Sequence, residues 1–379
     1  MDGHLPYRKQ IQSFELTQFT LKGFPNRTKF PRFSIRNFGM PKKILAAFEM
    51  NRLVQTDGVI AVGSTLAVTG SKYTGFCNSK EDYLYSFGTN VDNVLQVDIR
   101  TGVTGIISGL GSNRYSGQVL FGDYIYGAPV GATQFAKIDT RTAQLSLFGN
   151  CTGDVNIGGV CAPNGKIYFC PFGQTYIRVI MPESDQTYTF GNLSGSNLYA
   201  GCVAFGKYVY CIPYSAGNIL KIDTSTDTYE LIGSIAGTAQ YYGGFLSKQG
   251  NIYGVSHNAN SILKIEPTNN DRITQFGSPG AGTAKWIGGV ATCNQDYAYF
   301  IPNNDANFLK LNTVTDTFTT FAKPAADAGA SSYRGGVLAR NGCVYITPNA
   351  SVRVKALLDY TESNTIDPNL PQNLHFNKF

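Results

Sequence analysis

The sequence predicts an all-β fold, a seven-bladed β-propeller of four-stranded blades, and three observations support this prediction. The 379-residue chain contains 42 Gly, 23 Tyr and 24 Phe but only 15% charged residues, a composition typical of strands joined by many turns. A motif that contains Gly and is followed by an apolar residue and Tyr recurs seven times. Each unit spans about 42 residues, which is enough for four short strands.

Each repeat opens with the Gly motif, which we assign to the innermost strand of a blade. The seven motifs are Thr74-Gly75-Phe76, Ser116-Gly117-Gln118, Gly158-Gly159-Val160, Ala200-Gly201-Cys202, Gly243-Gly244-Phe245, Gly288-Gly289-Val290 and Gly335-Gly336-Val337. The apolar-Tyr pairs that follow end at Tyr85, Tyr126, Tyr168, Tyr210, Tyr253, Tyr299 and Tyr345, at spacings of 41, 42, 42, 43, 46 and 46 residues. These spacings predict seven equivalent units and exclude a pair of β-sandwiches.

A recurring acidic position marks a turn later in most repeats. It reads QVDIRTG around Asp98, KIDTRTA around Asp139 and KIDTSTD around Asp223, while Glu266 and Asn312 stand there in two other repeats. A short polar side chain at the start of a turn accepts hydrogen bonds from the backbone two residues on. We therefore interpret these residues as turn formers and not as a catalytic or metal-binding set.

The two ends of the repeat region predict how the ring closes. Residues 65–70, before the first Gly motif, have the pattern of a strand without a repeat of its own. The seventh unit has a third-strand candidate at 352–358 but no clear fourth strand. We expect the N-terminal strand to complete the seventh blade and so remove the open edge of the ring.

The stretches IYFCPFGQTYIRVI and VYCIPYSAGNILKIDTSTDT resemble the YVTN-type repeats of bacterial and archaeal surface and lactonase-like propellers. The double Gly of four units is also similar to kelch repeats, although the spaced Trp of kelch blades is absent, as is the Trp-Asp dipeptide of WD repeats. The resemblance covers roughly 290 residues. It implies a fold and no particular activity.

The net charge of +6 belongs to the N-terminal region. Residues 1–57 contain ten Lys and Arg against four acidic residues, whereas residues 58–379 contain 21 of each sign. We therefore expect a basic, aromatic-rich arm at 1–57 with a short helix near 41–53, the propeller at 58–358, and a polar tail at 359–379.

The arm interleaves aromatic and basic side chains, a pattern that fits contact with a partner. We expect a protein partner in a larger assembly, with aromatic side chains in pockets and cations at the rim. Nucleic acid is the less favoured alternative, and an unstructured tail is a third. The expected contact residues are Arg8, Lys9, Phe14, Phe19, Phe24, Arg27, Lys29, Phe30, Arg32, Phe33, Arg36 and Phe38.

Targeting features and cysteines indicate a protein folded inside a cell or within a particle. The first ten residues are polar, which does not fit a secretory signal, and no apolar run approaches the roughly 20 residues of a membrane helix. The eight cysteines form no CxxC pair. We expect them to be reduced and buried, with disulfides inside the repeats as the alternative.

Residues suited to catalysis are scarce. The chain has three histidines, of which His257 alone lies in the repeats, where we expect a solvent-facing loop position. A propeller lyase or lactonase typically needs several metal-binding side chains at its channel. We predict no catalytic residue, no metal and no cofactor.

Aromatic and basic residues near the Gly motifs give a candidate binding surface at the mouth of the central channel. Aromatic rings there would stack sugars or bases, and the cations would attract an anion. The alternative is that the rings pack between blades and the cations reach solvent. The candidate residues are Tyr73, Tyr115, Tyr199, Tyr242, Trp286, Arg114, Lys285 and Arg334.

Two functional hypotheses follow. The favoured one is a non-enzymatic scaffold or interaction subunit of a large assembly, such as a virion component or an accessory subunit of an organellar complex, anchored by its arm. The alternative is a propeller that binds a carbohydrate or another small molecule at the channel mouth, with lyase-like or lactonase-like chemistry as its extension.

Overall fold

A computed structural model describes residues 58–66 and 72–358 and confirms the seven-bladed β-propeller. The described residues form seven antiparallel sheets of four strands each, and a single 3-10 turn at Ala325–Asp327. The predicted arm with its contact residues, the helix near 41–53 and the tail at 359–379 lie outside the described residues. No helix in the described part is long and apolar enough to span a membrane.

Six blades are built from four consecutive strands each, ordered from the channel outward. Blades 1 to 3 comprise β2 (Cys77–Asn78), β3 (Tyr83–Phe87), β4 (Asn93–Asp98) and β5 (Thr104–Ser108); β6 (Tyr115–Phe121), β7 (Tyr124–Pro129), β8 (Phe135–Asp139) and β9 (Gln144–Phe148); and β10 (Asn156–Cys161), β11 (Ile167–Pro171), β12 (Ile177–Met181) and β13 (Gln186–Phe190). Blades 4 to 6 comprise β14 (Tyr199–Phe205), β15 (Tyr208–Pro213), β16 (Ile219–Asp223) and β17 (Thr228–Ile232); β18 (Tyr241–Leu246), β19 (Ile252–Ser256), β20 (Ile262–Glu266) and β21 (Arg272–Phe276); and β22 (Trp286–Ala291), β23 (Tyr297–Pro302), β24 (Asn307–Asn312) and β25 (Thr317–Ala322).

The seventh blade joins the two ends of the repeat region, as the sequence predicts. Its strands β26 (Tyr333–Leu338), β27 (Val344–Pro348) and β28 (Val354–Leu358) are completed by β1 (Gly58–Val62). The predicted closing strand at 65–70 is wrong, because β1 pairs with β28 from Gly58↔Leu358 to Val62↔Val354. Leu66 lies beyond that strand and only its amide donates to the Val352 carbonyl, at 2.8 Å.

The innermost strands of blades 2 to 7 contain a bulge, and in blade 1 the same one-residue step lies between the isolated Tyr73↔Gly88 bridge and β2. In blade 4 the pairing steps from Tyr199↔Pro213 to Cys202↔Cys211, so one extra residue lies on the inner strand. Gly201 in this bulge has φ +83°, and a Cβ there would lie 2.7 Å from the Gly243 Cα of the next blade. All seven equivalent glycines have positive φ: Gly75, Gly117, Gly158, Gly201, Gly243, Gly288 and Gly335.

Neighbouring blades are fastened by a repeated contact that we call the Tyr-Asp clasp. A buried Tyr of one blade donates its hydroxyl to an Asp in the last turn of the next blade, and a Lys pairs with the same carboxylate. In blade 4, Tyr210 donates to Asp271 at 2.6 Å, and the Lys221 ammonium lies 2.6 Å from the other Asp271 oxygen. The equivalent clasps are Tyr126–Asp185–Lys137, Tyr168–Asp227–Lys166 and Tyr253–Asp316–Lys264.

The recurring acidic position of the sequence forms turns. Asp98 accepts from the Arg100 amide at 2.8 Å, Asp223 accepts from the Ser225 amide at 2.9 Å, and Asn312 does the same for Val314 at 2.9 Å. These contacts agree with the interpretation as turn formers, since each side chain bonds the backbone two residues on. No disulfide joins any of the eight cysteines, all of which lie in the described residues.

Candidate binding site at the channel end

The bulge on each inner strand places one side chain at the channel. The residue that directly precedes the bulge glycine occupies this position, which we call the inner ring. The members of this set from blades 3 to 6 pack in one buried cluster, which indicates that they face the shared axis. The inner ring consists of Thr74, Ser116, Ile157, Ala200, Tyr242, Ile287 and Arg334.

The predicted aromatic ring at the channel mouth is a mixture of two positions. Tyr242 and Arg334 belong to the inner ring, but Tyr73, Tyr115, Tyr199 and Trp286 lie one position earlier and are buried inside their blades. Their polar atoms bond within their own blade: Tyr73 to Asn93 at 2.6 Å, Tyr115 to the Gln134 carbonyl at 2.7 Å, Tyr199 to Asn218 at 2.8 Å, and Trp286 to the Asn307 carbonyl at 2.9 Å. The structure therefore does not bring these four to a common surface.

Two of the predicted basic residues also differ from expectation. Lys285 is buried, and its ammonium donates to the Ala259 carbonyl at 2.8 Å. Burial lowers the pKa of Lys285. Arg114 is exposed, in the segment just before β6. Of the three predicted cations, Arg334 is the one that the fold places at the channel.

A second ring surrounds the first at the same end of the channel. In blades 2 to 7 it consists of the residue that follows the second strand, whose backbone amide donates to the carbonyl of the residue just before the inner strand at 2.8 to 3.0 Å. In blade 1 the Thr89 amide, two residues after the second strand, donates to the Lys72 carbonyl at 2.7 Å. This fixed contact repeats in all seven blades. The outer ring consists of Thr89, Val130, Phe172, Tyr214, His257, Asn303 and Asn349.

Blades 3 to 6 give the channel end an aromatic side. Ile157, Ala200, Tyr242 and Ile287 form a buried cluster against which the half-buried Phe172 and Tyr214 pack. The ring centroids of Phe172 and Tyr214 are 5.3 Å apart, and those of Tyr214 and Tyr242 are 5.8 Å apart. Such spacings are those of favourable aromatic pairs, so this side is preorganised for contact with flat apolar groups.

Tyr242 also forms a floor across the channel. Its hydroxyl shares a hydrogen bond with Ser116, although Tyr242 belongs to blade 5 and Ser116 to blade 2. Blades 2 and 5 lie on opposite sides of a seven-membered ring, so this bond crosses the axis. Tyr242 therefore reaches across this end of the channel.

His257 is part of the aromatic side, and the expectation of a solvent-facing loop position is wrong. The side chain is only 6% exposed, and its ring lies 5.5 Å from Tyr214 and 5.4 Å from Tyr242. The Nδ1 atom lies 3.2 Å from the Trp286 carbonyl. Burial, reinforced by the nearby charges of Arg334 and Lys285, lowers the pKa of His257 to about 4, so the imidazole is neutral at neutral pH.

Blades 6, 7, 1 and 2 give the opposite side a polar character. Arg334 is half-buried, and its guanidinium makes no hydrogen bond or ion pair within residues 58–66 and 72–358, with its Nε buried. Asn303 and Asn349, the outer-ring residues of blades 6 and 7, use their amide groups on the Ala284 and Ser331 carbonyls, at 3.2 and 2.8 Å. Their buried Oδ1 atoms accept no hydrogen bond from the described residues.

A further concavity lies far from the channel, between the outer edges of blades 4 and 5. It is lined by residues such as Glu230, Asn270, Asp271 and Gln275, and encloses about 580 Å³. Asp271 already serves the Tyr-Asp clasp there. The channel end is the better candidate because its cation has no partner in the described structure. Among the described residues, no three His, Cys, Asp or Glu side chains meet in an arrangement that could hold a metal ion.

Comparison with known proteins shows the fold alone. No protein-family model matches the chain, and no curated protein sequence matches it. A streptogramin B lyase structure aligns with a TM-score of 0.66 at 14% identity, over 79% of this chain and 97% of that one. The WD40 repeats of RRP9 align with a TM-score of 0.58 at 10% identity, over 79% and 98%. A structure of YCF48 bound to a D1 peptide aligns with a TM-score of 0.60 at 8% identity, over 80% and 96%.

Proposed function

We propose that this protein is a non-enzymatic interaction subunit of a larger assembly. The observation that carries the proposal is the charge distribution, since residues 1–57 hold ten Lys and Arg against four acidic residues and residues 58–379 hold 21 of each sign. His257 is buried and neutral beside Tyr214 and Tyr242, and Arg334 offers a cation that pairs with no carboxylate of the described residues. These groups are suited to contact with a partner, and His257 is not placed for proton transfer.

The blades support this role because they make a stiff platform. Four Tyr-Asp clasps join consecutive blades, and each combines a hydrogen bond to a charged group with an ion pair. Propellers of similar fold provide precedents, since YCF48 is described bound to a peptide and RRP9 carries WD40 repeats. The fold similarity is compatible with a role in binding proteins.

In this proposal, residues 1–57 anchor the propeller to the assembly. Their ten basic residues, set against four acidic ones, account for the net charge of the chain, and seven Phe are interleaved with them. Aromatic and Arg side chains are the residue types that carry most of the energy at protein interfaces.

The test is sedimentation of a gentle lysate of the native source, with mass spectrometry of what migrates with the chain. We compare the full chain with a chain that lacks residues 1–57. We also replace Arg27, Lys29, Arg32 and Arg36 by Gln, with Lys80, Arg100, Arg141 and Lys207 of the propeller surface replaced as the matched control.

Migration in a large particle that requires the arm, and that survives the control substitutions, is the expected result. Migration of the full chain as a free species of about 41 kDa contradicts the proposal. A steep loss of association as salt rises identifies phosphate contacts, and so nucleic acid as the partner.

Ligand binding at the channel is the second candidate function, since half-buried Phe172 and Tyr214 lie at the same channel end as Arg334. Replacement of the predicted residues Tyr199 and Trp286 does not test it, because both are buried core residues whose loss would unfold the blades.

A further inference from the structure

We propose that the channel end binds the carboxylate end of an aromatic amino acid unit, with Arg334 holding the carboxylate and Phe172 and Tyr214 holding the ring. This proposal rests on the second candidate function and is independent of the arm. The unit has two sources, a free aromatic amino acid or the C-terminal residue of a polypeptide, which share the same chemistry.

Arg334 provides the anchor. Its backbone is fixed, because its carbonyl accepts from the Gly75 amide of blade 1 at 2.8 Å. Its guanidinium makes no hydrogen bond within the described residues, although its Nε is buried. A buried donor without a partner costs free energy, and the planar fork of Arg matches a carboxylate in two parallel bonds.

The neighbouring acid does not compete for this cation. Asp327, the buried carboxylate beside blade 7, accepts from Tyr333 at 2.8 Å and from Ser351 at 2.8 Å, and it pairs with Lys355 at 2.7 Å. Its oxygens are therefore occupied by groups of the same blade and its 3-10 turn. Arg334 consequently keeps a positive charge at the channel end that no carboxylate among residues 58–66 and 72–358 neutralises.

The aromatic side lies opposite. Arg334 belongs to blade 7, and Phe172 and Tyr214 belong to blades 3 and 4, which face blade 7 across a seven-membered ring. The charge of Arg334 reaches this side, because it opposes the rise that burial causes in the pKa of Tyr214. A ligand whose charged end lies at Arg334 thus points its other end at two half-buried rings above the Tyr242 floor.

Two acceptors in the outer ring of blades 6 and 7, at the same channel end as Arg334, suit a ligand with a donor next to its carboxylate. Asn303 is 3% exposed and Asn349 is 0% exposed, and the Oδ1 atom of each lacks a partner in the described structure. In an amino acid unit the nitrogen lies one carbon from the carboxylate. Its N–H group therefore suits an acceptor at the same channel end as the guanidinium.

Calorimetric titration of the full chain tests the proposal with three probes: phenylalanine, N-acetylphenylalanine, and N-acetylphenylalanine amide, which lacks the charge. The variants are R334Q and R334K, with R340Q as the matched control. Arg340 lies at the other end of the same inner strand, where it bonds the Lys80 carbonyl. Thermal unfolding of each variant reports whether the blades remain folded.

We expect saturable binding of at least one carboxylate probe, and binding of the amide that is at least about tenfold weaker. R334Q should weaken the carboxylate probe by about 10- to 100-fold, R334K by less, and R340Q not at all. Stronger binding of N-acetylphenylalanine than of phenylalanine identifies a chain end as the source, and the reverse order identifies a free amino acid.

Three outcomes overturn the proposal: no saturable binding of either carboxylate at about 10 mM, equal affinity for the amide, or unchanged affinity in a folded R334Q variant. The assembly role is tested separately. R334Q should keep the arm-dependent sedimentation, so the failure of one proposal does not imply the failure of the other.

Discussion

Removal of one hydroxyl from a Tyr-Asp clasp tests whether the clasps hold the blades together. In Tyr210→Phe the ring stays, and the variant loses only the 2.6 Å hydrogen bond to Asp271. Hydrogen bonds to charged groups contribute about 1.5 to 3 kcal/mol. The Asp271 side chain is 17% exposed and keeps Lys221 at 2.6 Å, so water and the ion pair offset part of the loss. We therefore expect a destabilisation of about 1.5 kcal/mol.

Tyr85 supplies the matched control in blade 1. The next blade has Ala143 where the clasp Asp stands elsewhere, and the Tyr85 hydroxyl instead donates to the Thr140 carbonyl at 3.4 Å and accepts from the Gln96 amide at 2.8 Å. Because both partners are neutral, Tyr85→Phe should cost about 1 kcal/mol, less than Tyr210→Phe. The comparison removes the general effect of deleting a buried Tyr hydroxyl.

The assay is equilibrium unfolding in urea, followed by far-UV circular dichroism and by the fluorescence of Trp286, the single Trp. If the circular dichroism and fluorescence transitions coincide, the free energies of unfolding can be derived from a two-state analysis. A double-mutant cycle of Tyr210→Phe with Asp271→Asn should give a coupling energy of about 1 kcal/mol. Equal costs for Tyr210→Phe and Tyr85→Phe, or a coupling energy near zero, would refute the reasoning.

Three further predictions address backbone, pH and thiols. Gly201→Ala should destabilise the fold by about 2 kcal/mol or more, because φ is +83° and the added Cβ would lie 2.7 Å from the Gly243 Cα. Gly206→Ala, where φ is +55° and the Cβ would meet open space, should cost about 1 kcal/mol in the same urea assay. Burial raises the pKa of many tyrosines, that of Tyr73 to about 12. Their contribution to the free energy of unfolding is therefore fully present below the unfolded-state pKa of about 10 and is lost as the pH rises from about 10 to about 12. A titration of tyrosinate absorbance, run beside circular dichroism, measures this loss. With an aromatic disulfide reagent, half-buried Cys161 and Cys293 should react before the six buried thiols, and equal rates for all eight would contradict the described burial.

The fold could be predicted from the sequence because its signals are local and repeated. Strand periodicity, turn residues and the fixed spacing of the Tyr residues each depend on a few neighbouring positions. Because the pattern occurs seven times, a repeat that departs from it does not obscure the prediction. Closure of the ring was predictable for the same reason, since one blade lacked a strand. The position of that strand was not, because 58–62 and 65–70 are both short apolar runs and the pairing with Val354–Leu358 decides between them.

The candidate site was predictable only in part. Tyr242 and Arg334 were recognised, but Tyr73, Tyr115, Tyr199 and Trp286 were assigned to the same surface. The error is one of register. The single Gly of blades 1, 2 and 4 can be aligned with either Gly of the double-Gly motifs. The motifs as read from the sequence match it to the second, whereas the bulge glycine is the first, and a shift of one residue in a strand moves a side chain to the other face. The positive φ of the bulge glycine resolves the ambiguity, and φ is not visible in the sequence.

The Tyr-Asp clasps show a different limit of prediction from the sequence. Their members are about 60 residues apart in the chain, as in Tyr168 and Asp227, and each is an ordinary residue in its own strand or turn. Tyr, Lys and last-turn Asp residues recur together in successive repeats, and this recurrence is a signal in the sequence from which the clasps could have been predicted. The limit applies also to His257, whose burial depends on the aromatic rings of two other positions.

The sequence by itself therefore determined the strands, the number of blades and the closed ring, because these follow from short-range patterns and from the need to cover strand edges. Only the tertiary structure decided which side chains face the channel and that Tyr242 meets Ser116 across the axis. It also decided that Arg334 stays without a partner among the described residues. Those properties depend on bulge geometry and on contacts between blades that are far apart in the chain. They arise when seven blades close around one axis.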